Sequence, residues 1–203
     1  MTTNFKKWAE QYKDQYSEYC VTELTNYEAR ENLYTMAKEF VATANISEYT
    51  DVLLQATFFV ISATNVENSV FNEIPRDENL ILFLASKVIK TNYEDAIPLF
   101  VIALGEITIN KNEAENILLK TVENKEEYTS RMSLLSLAKL HSDKTESLAE
   151  RAWNTGLQYQ KIACLWALKE VNSNKLTHYL DLAHKDGQLF LVQNAIEIEN
   201  ESA

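Results

Sequence analysis

The feature that most constrains the fold is a pattern that recurs at an interval in the low thirties. Leu104 and Ile107 are followed by Asn110-Lys111 and Glu113, and 33 residues on stand Leu137 and Leu140, then Asp143-Lys144 and Glu146. A further 31 residues bring Leu168 and Val171, then Asn174-Lys175, with Thr177 where Glu stood; a truncated copy ends on Ala195 and Ile198. That interval is the length of one helical hairpin stacked on its neighbours. The stretch from Asp95 to Thr121 reads as one such unit: a helix, a short turn and a second helix.

The apolar residues before each turn fall at helical spacing, with Phe100, Val101, Leu104 and Ile107 in one copy and Leu134, Leu137 and Leu140 in the next. Asn110, Asp143 and Asn174 are expected N-caps, because a short side-chain oxygen accepts from the unpaired amides that open a helix. Glu113 and Glu146 follow three residues later, the spacing of a capping box. Helices this short cannot bury their apolar stripes alone, so neighbouring hairpins must stack.

The run Ala103-Leu104-Gly105-Glu106-Ile107, followed by a capped second helix, resembles the HEAT-like repeats of bacterial proteins over residues 95–185. It departs from that pattern in lacking the Val-Arg pair of the first helix, for which Arg131 is the nearest candidate. The resemblance implies an all-α, HEAT-like α-solenoid of stacked antiparallel helix pairs, about ten or eleven helices in all. The whole chain is then one α-helical repeat domain: capping helices over 1–45, a divergent hairpin over 46–92 and HEAT-like repeats over 93–203. Such families are mostly scaffolds and binding proteins.

Composition agrees with a helical chain. Three Gly and two Pro in 203 residues disfavour a turn-rich β architecture. A formal charge of −11 argues against nucleic acid as a ligand, since phosphate contacts need clustered Lys and Arg. Cys20 and Cys164 form no metal or redox spacing, and Cys164 reads as a small core residue. The start, Met1-Thr-Thr-Asn-Phe-Lys-Lys-Trp, leads into polar helix rather than a signal segment, so a cytoplasmic protein is expected and the triplets at Asn45 and Asn200 are chance glycosylation matches.

Phe5, Trp8, Tyr12, Tyr16 and Tyr19 lie on one helical face, opposite Lys6, Lys13, Asp14 and Glu18. That face either docks a partner or covers an open end of the stack, and covering is the favoured reading. A helix is expected over 26–44 with Leu33, Ala37, Phe40 and Val41 inward. The next, over 47–65, is nearly apolar from Val52 to Ala63, too short to cross a bilayer, and expected to be the most buried. Residues 66–76 read as the longest loop, and Asp77 as the cap of a helix through Ile89. Pro98 is tolerated if Asp95 caps its helix. Gly156 and Gly187 fall where helix ends want them.

Candidate chemistry is thin. His178 and His184, six apart, diverge by about 120° on an ideal helix, and Asp181 cannot align both, so a shared metal is not expected. Glu113/Glu115 and Glu126/Glu127 diverge likewise, with no apolar surroundings to raise a pKa. No cofactor and no enzymatic activity are expected. The charge is uneven: residues 1–110 carry eight Lys/Arg against 16 Asp/Glu, and residues 111–203 carry 11 against 14. An acidic surface either solubilises or steers a cationic partner.

The expected function is non-catalytic protein binding, in concrete form a bacterial immunity protein that neutralises a basic toxin. In proteins of the resembled type the second helix of each hairpin lines the concave face, which selects Glu146, Glu150, Trp153, His178 and Asp181 as partner-binding residues. A scaffold or regulatory subunit docking through the aromatic N-terminal helix is one alternative, and a helical-repeat enzyme acting on a small molecule or modified base is the other.

Overall fold

The computed structural model describes residues 2–14, 26–64 and 69–201. Every regular element among them is helical. Eleven α-helices follow in order: α1 (Thr2–Tyr12), α2 (Tyr27–Val41), α3 (Asp51–Ala63), α4 (Glu78–Val88), α5 (Ile97–Leu104), α6 (Lys111–Thr121), α7 (Glu127–Lys139), α8 (Thr145–Asn154), α9 (Gln158–Glu170), α10 (Leu176–Asp186) and α11 (Leu189–Glu201). Short 3₁₀ turns lie at Ile46–Glu48 and Phe71–Glu73. The chain divides into two units, Met1–Phe100 and Val101–Ala203, at a boundary inside α5. Among the described residues no helix is long and apolar enough to cross a membrane.

The first unit is built on aromatic rings. Phe5 and Trp8 of α1 are buried, with Phe5 5.2 Å from Phe40 of α2 and Trp8 6.3 Å from Phe59 of α3. The chain of contacts continues from Phe40 to Tyr49 at 5.2 Å and from Tyr49 to Phe83 at 6.3 Å. Phe100 closes it edge-on against Phe58 at 5.8 Å and Phe71 at 5.0 Å. The first two members of the aromatic face are therefore core rather than a docking surface; Tyr16 and Tyr19 lie outside the described residues.

Local capping explains where these helices start. Ala29 donates its amide to Asn26 Oδ1 at 3.2 Å, and Leu80 donates to Asp77 Oδ1 at 2.8 Å, as short acceptors at N-caps do. Leu33, Ala37, Phe40 and Val41 face inward on α2, as their spacing predicts. Helix α3 is capped by Thr50 and buries Leu53, Leu54 and the run from Ala56 to Ile61, so it is apolar almost all round. Helix α5 begins at Ile97, two residues beyond Asp95. Pro98 is the second helical residue, where no intrahelical hydrogen bond is lost.

In the second unit α9 is the central element, packed against α7, α8, α10 and α11. One face meets Leu134, Ala138 and Ala149 through Cys164 and Leu168, and the other meets Leu180, Leu191 and Ile198 through Ile162 and Leu165. Trp166 Nε1 donates to Asn194 Oδ1 at 2.7 Å and Lys169 pairs with Glu201, so α9 and α11 run in the same direction. Gln160 Nε2 donates to the Glu127 carbonyl at 3.4 Å, which joins the first turns of α9 and α7.

The same backbone device closes α7 and α9. His141 and Asn172, 31 residues apart, take left-handed φ values of 55° and 51°. The next amides reach back: Ser142 donates to the Leu137 carbonyl at 3.1 Å and Ser173 to that of Leu168 at 2.9 Å. This geometry displaces the expected caps. Neither Asp143 nor Asn174 is an N-cap; the cap positions are Lys144 and Lys175, which cap through no side chain. The orphan amides of those lysines are taken by Ser142 Oγ and Ser173 Oγ, each at 3.2 Å. Asn110 does hold the cap position of α6, but without a side-chain capping bond, so the capping box with Glu113 is absent.

Candidate functional site

Four of the five predicted contact residues lie in the second unit in two adjoining groups, Glu146 and Glu150 at Lys175 and Trp153 and His178 at Tyr179. Lys175 Nζ donates to Glu150 Oε1 at 2.5 Å and lies 3.3 Å from Glu146 Oε2. Ser173 Oγ donates to the other oxygen of Glu146 at 2.6 Å. The hydrogen bond from Ser173 is the main cause that holds the Glu146 carboxyl below the usual carboxylate range; burial opposes it, and Lys175 adds to the lowering. The two carboxylates hold the Lys175 ammonium above its ordinary value. One turn further along α8, Trp153 meets Tyr179 edge-on at 5.0 Å, and Tyr179 meets His178 at 5.3 Å. Lys161 stands 5.5 Å from the Trp153 ring and donates to Asp186 at 2.6 Å. Asp181 is exposed and makes none of these contacts.

The arrangement is an ion cluster beside a ring stack. Glu146 and Glu150 share one lysine, which reduces what they offer an external cation. His184 bonds instead to Glu199 at 3.1 Å, so the two histidines serve different neighbours. Among the described residues no group of three His, Cys, Asp or Glu side chains is placed to hold a metal ion. The paired acids also separate: Glu115 accepts from Ser142 Oγ at 2.6 Å, while Glu126 caps α7 by accepting from Thr129 and Tyr128 amides at 2.6 and 3.1 Å. Burial pushes the Glu126 carboxyl up, but those amides and Arg131 together outweigh it and hold the group low.

Behind the cluster lies Cys164, fully buried, its thiol pushed up to about 12 by burial and by Glu150. A thiol held protonated in apolar packing is neither nucleophile nor ligand. A cleft of about 390 Å³ opens beside α7, α8 and α9, lined by Leu134, Leu148, Arg151 and Gln160 among others. Arg151 is tied there to Glu123 at 2.9 Å.

Residues that sequence reasoning passed over lie at the helix starts. Tyr128, Tyr159 and Phe190, each the second residue of α7, α9 and α11, are 43%, 49% and 50% exposed. They are spaced by 31, the second of the two intervals in the recurring pattern. The Arg131 guanidinium lies between the first two rings, 5.2 Å from Tyr128 and 4.9 Å from Tyr159, and 3.5 Å from the Glu127 carboxylate. Extending the 31-residue interval to exposed positions would have revealed this edge.

Compared with known protein families, curated proteins and solved structures, the chain matches none.

Proposed function

We propose that the protein is a non-catalytic protein-binding module whose second unit stacks HEAT-like hairpins as an α-solenoid. Its partner is a basic protein, in concrete form a toxin that this chain neutralises as a bacterial immunity protein in the cytoplasm. The observation that carries the reading is the recurrence of one joint at an interval of 31. Ser142 bonds Glu115 and Ser173 bonds Glu146, both at 2.6 Å, each serine also taking the amide two residues on. A joint repeated with the same partners is how stacked hairpins set a common spacing, and stacks of this kind offer extended surfaces for proteins.

Acidity supports the choice of partner, because a net charge of −11 speeds encounter with a cation. Docking through the aromatic N-terminal helix is the weaker reading, since Phe5 and Trp8 are committed to the core of the first unit. The test is association kinetics with a captured basic partner at low and physiological salt. Screening to about 8 Å should slow association markedly. Asp181→Lys should weaken binding with no internal pair disturbed, and Glu146→Lys or Glu150→Lys should do so while also releasing Lys175. Lys7→Glu is the neutral control, being exposed, whereas Lys6 is engaged with Glu48 at 2.7 Å. An association rate indifferent to salt and to Asp181→Lys overturns the proposal.

A further inference from the structure

The cleft beside α7, α8 and α9 holds a polar side chain that the fold does not need. Gln160, in the first turn of α9, is 6% exposed and lines it. The positions 31 residues before and after are Thr129 on α7 and Leu191 on α11, both buried, so a shorter or an apolar side chain serves the same place. The Gln160 carboxamide makes one hydrogen bond, Nε2 donating to the Glu127 carbonyl at 3.4 Å, longer than the usual range. Its Oε1 accepts from no group among the described residues and is not sealed off from solvent. Burying an amide with its acceptor unused costs stability, and such a group calls for a partner.

The other groups around the cleft are either spent or free. Ser130 Oγ donates to the Val122 carbonyl and Thr155 Oγ1 to the Ala152 carbonyl, both at 2.7 Å, and Arg151 is held by Glu123. Asn154 is exposed on the same cleft, and its carboxamide bonds to none of the described residues. The remaining lining, Val122, Leu134, Leu148 and Ala152, is aliphatic.

We infer that this cleft takes an extended segment of a partner protein through one aliphatic side chain and the main-chain amides beside it. The aliphatic lining receives the side chain. Gln160 Oε1 accepts an N–H of the segment, and the Asn154 carboxamide supplies a donor for its carbonyl. A volume of about 390 Å³ lies at the small end of ligand sites, about 300–1,000 Å³, and suits one residue with its adjoining peptide bonds. The occupant is neutral at this point, because Arg151 is the one charged residue among the described lining and already has its counter-charge. This rests on the binding role proposed above and deepens it: the overall charge steers the encounter, and the cleft reads one residue.

The experiment follows proton–nitrogen correlation spectra of the full chain during titration with N-acetyl-leucine N-methylamide, a single residue with a peptide bond on either side, and with its glycine counterpart. The leucine compound should move the side-chain amide signals of Gln160 and Asn154 and bind about tenfold more tightly than the glycine compound. Gln160→Leu, read at Asn154, should weaken binding about fivefold. Its thermal transition should stay in place, since leucine holds the corresponding position on α11. Asn154→Ala, at an exposed position and read at Gln160, should weaken binding as well. Equal binding of the two compounds, or full binding by Gln160→Leu, overturns the inference. So does an absence of shifts at these two side chains up to the solubility of the leucine compound. Those failures leave the salt-dependent association with a basic partner standing, whereas salt-independent association beside intact shifts overturns the charge reading instead.

Discussion

Ser173 Oγ donates to Glu146 Oε1 at 2.6 Å, across a sequence separation of 27 residues, and the same oxygen accepts the Lys175 amide at 3.2 Å. One buried hydroxyl thus ends the turn after α9, opens α10 and fixes α8 against both. Ser173→Ala should cost about 1–2 kcal/mol, because it strands a helix-start amide and a carboxylate bond together. Asn174→Ala, one residue away and exposed, should stay within about 0.5 kcal/mol. Urea midpoints of the two variants check the pair, and equal losses would contradict it.

Acid should loosen the second unit. Glu146 and Asp186 titrate below their ordinary values when folded, Glu146 chiefly through Ser173 and Asp186 chiefly through Lys161. Their contribution is complete above the unfolded pKa values, 4.5 for Glu and 3.8 for Asp, and is lost as pH falls through the lower folded values. Glu146→Gln should flatten the acid limb of a stability-against-pH curve. Lys175 works in the opposite direction: its folded pKa lies above 10.5, so its contribution is present below that pH and is lost as pH rises through the folded value.

Cys164 should be silent to thiol reagents. In a Cys20→Ser background, labelling at mildly alkaline pH should follow the opening of the core rather than the free-thiol rate, since burial holds the thiol at about 12. Leu168→Ala, in the same fully buried cluster, should cost roughly 2–5 kcal/mol and speed that labelling. Immediate labelling of the native chain would contradict the packing.

Gly105 is tightly packed. A Cβ there would stand 3.0 Å from the Cα, Cβ and Oγ of Ser136 on α7. Gly105→Ala should therefore cost about 1–3 kcal/mol through overpacking, and Ser136→Gly should recover part of it. Failure of the double variant to recover anything would remove the contact as the cause.

The helices themselves were legible. Asn26 and Asp77 cap where short acceptors precede apolar periodicity, and Leu33, Phe40, Cys164 and Leu168 are buried as their spacing predicts. Local chemistry decides those positions, and local chemistry is what a sequence displays. The caps of α8 and α10 were misplaced by one residue because a tertiary partner decides them. Ser142 and Ser173 are chosen by Glu115 and Glu146, 27 residues earlier, and by the left-handed residues before them. Pairing also hid the state of the predicted site: Glu146 and Glu150 look like free acids until Lys175 is placed between them. Spacing could find Tyr128, Tyr159 and Phe190, but not the guanidinium between the first two.

The three tryptophans are divided between the units. Trp8 lies in the first, while Trp153 and Trp166 lie in the second, beside Tyr179 and hydrogen-bonded to Asn194. Indole emission can therefore be assigned by substitution. A Trp8→Phe chain emits only from residues beyond the boundary in α5, and a chain with Trp153 and Trp166 both changed to Phe emits only from before it. Melting the two chains side by side gives each unit its own transition, and coincidence or separation of the two curves measures how cooperatively the halves of this polypeptide unfold.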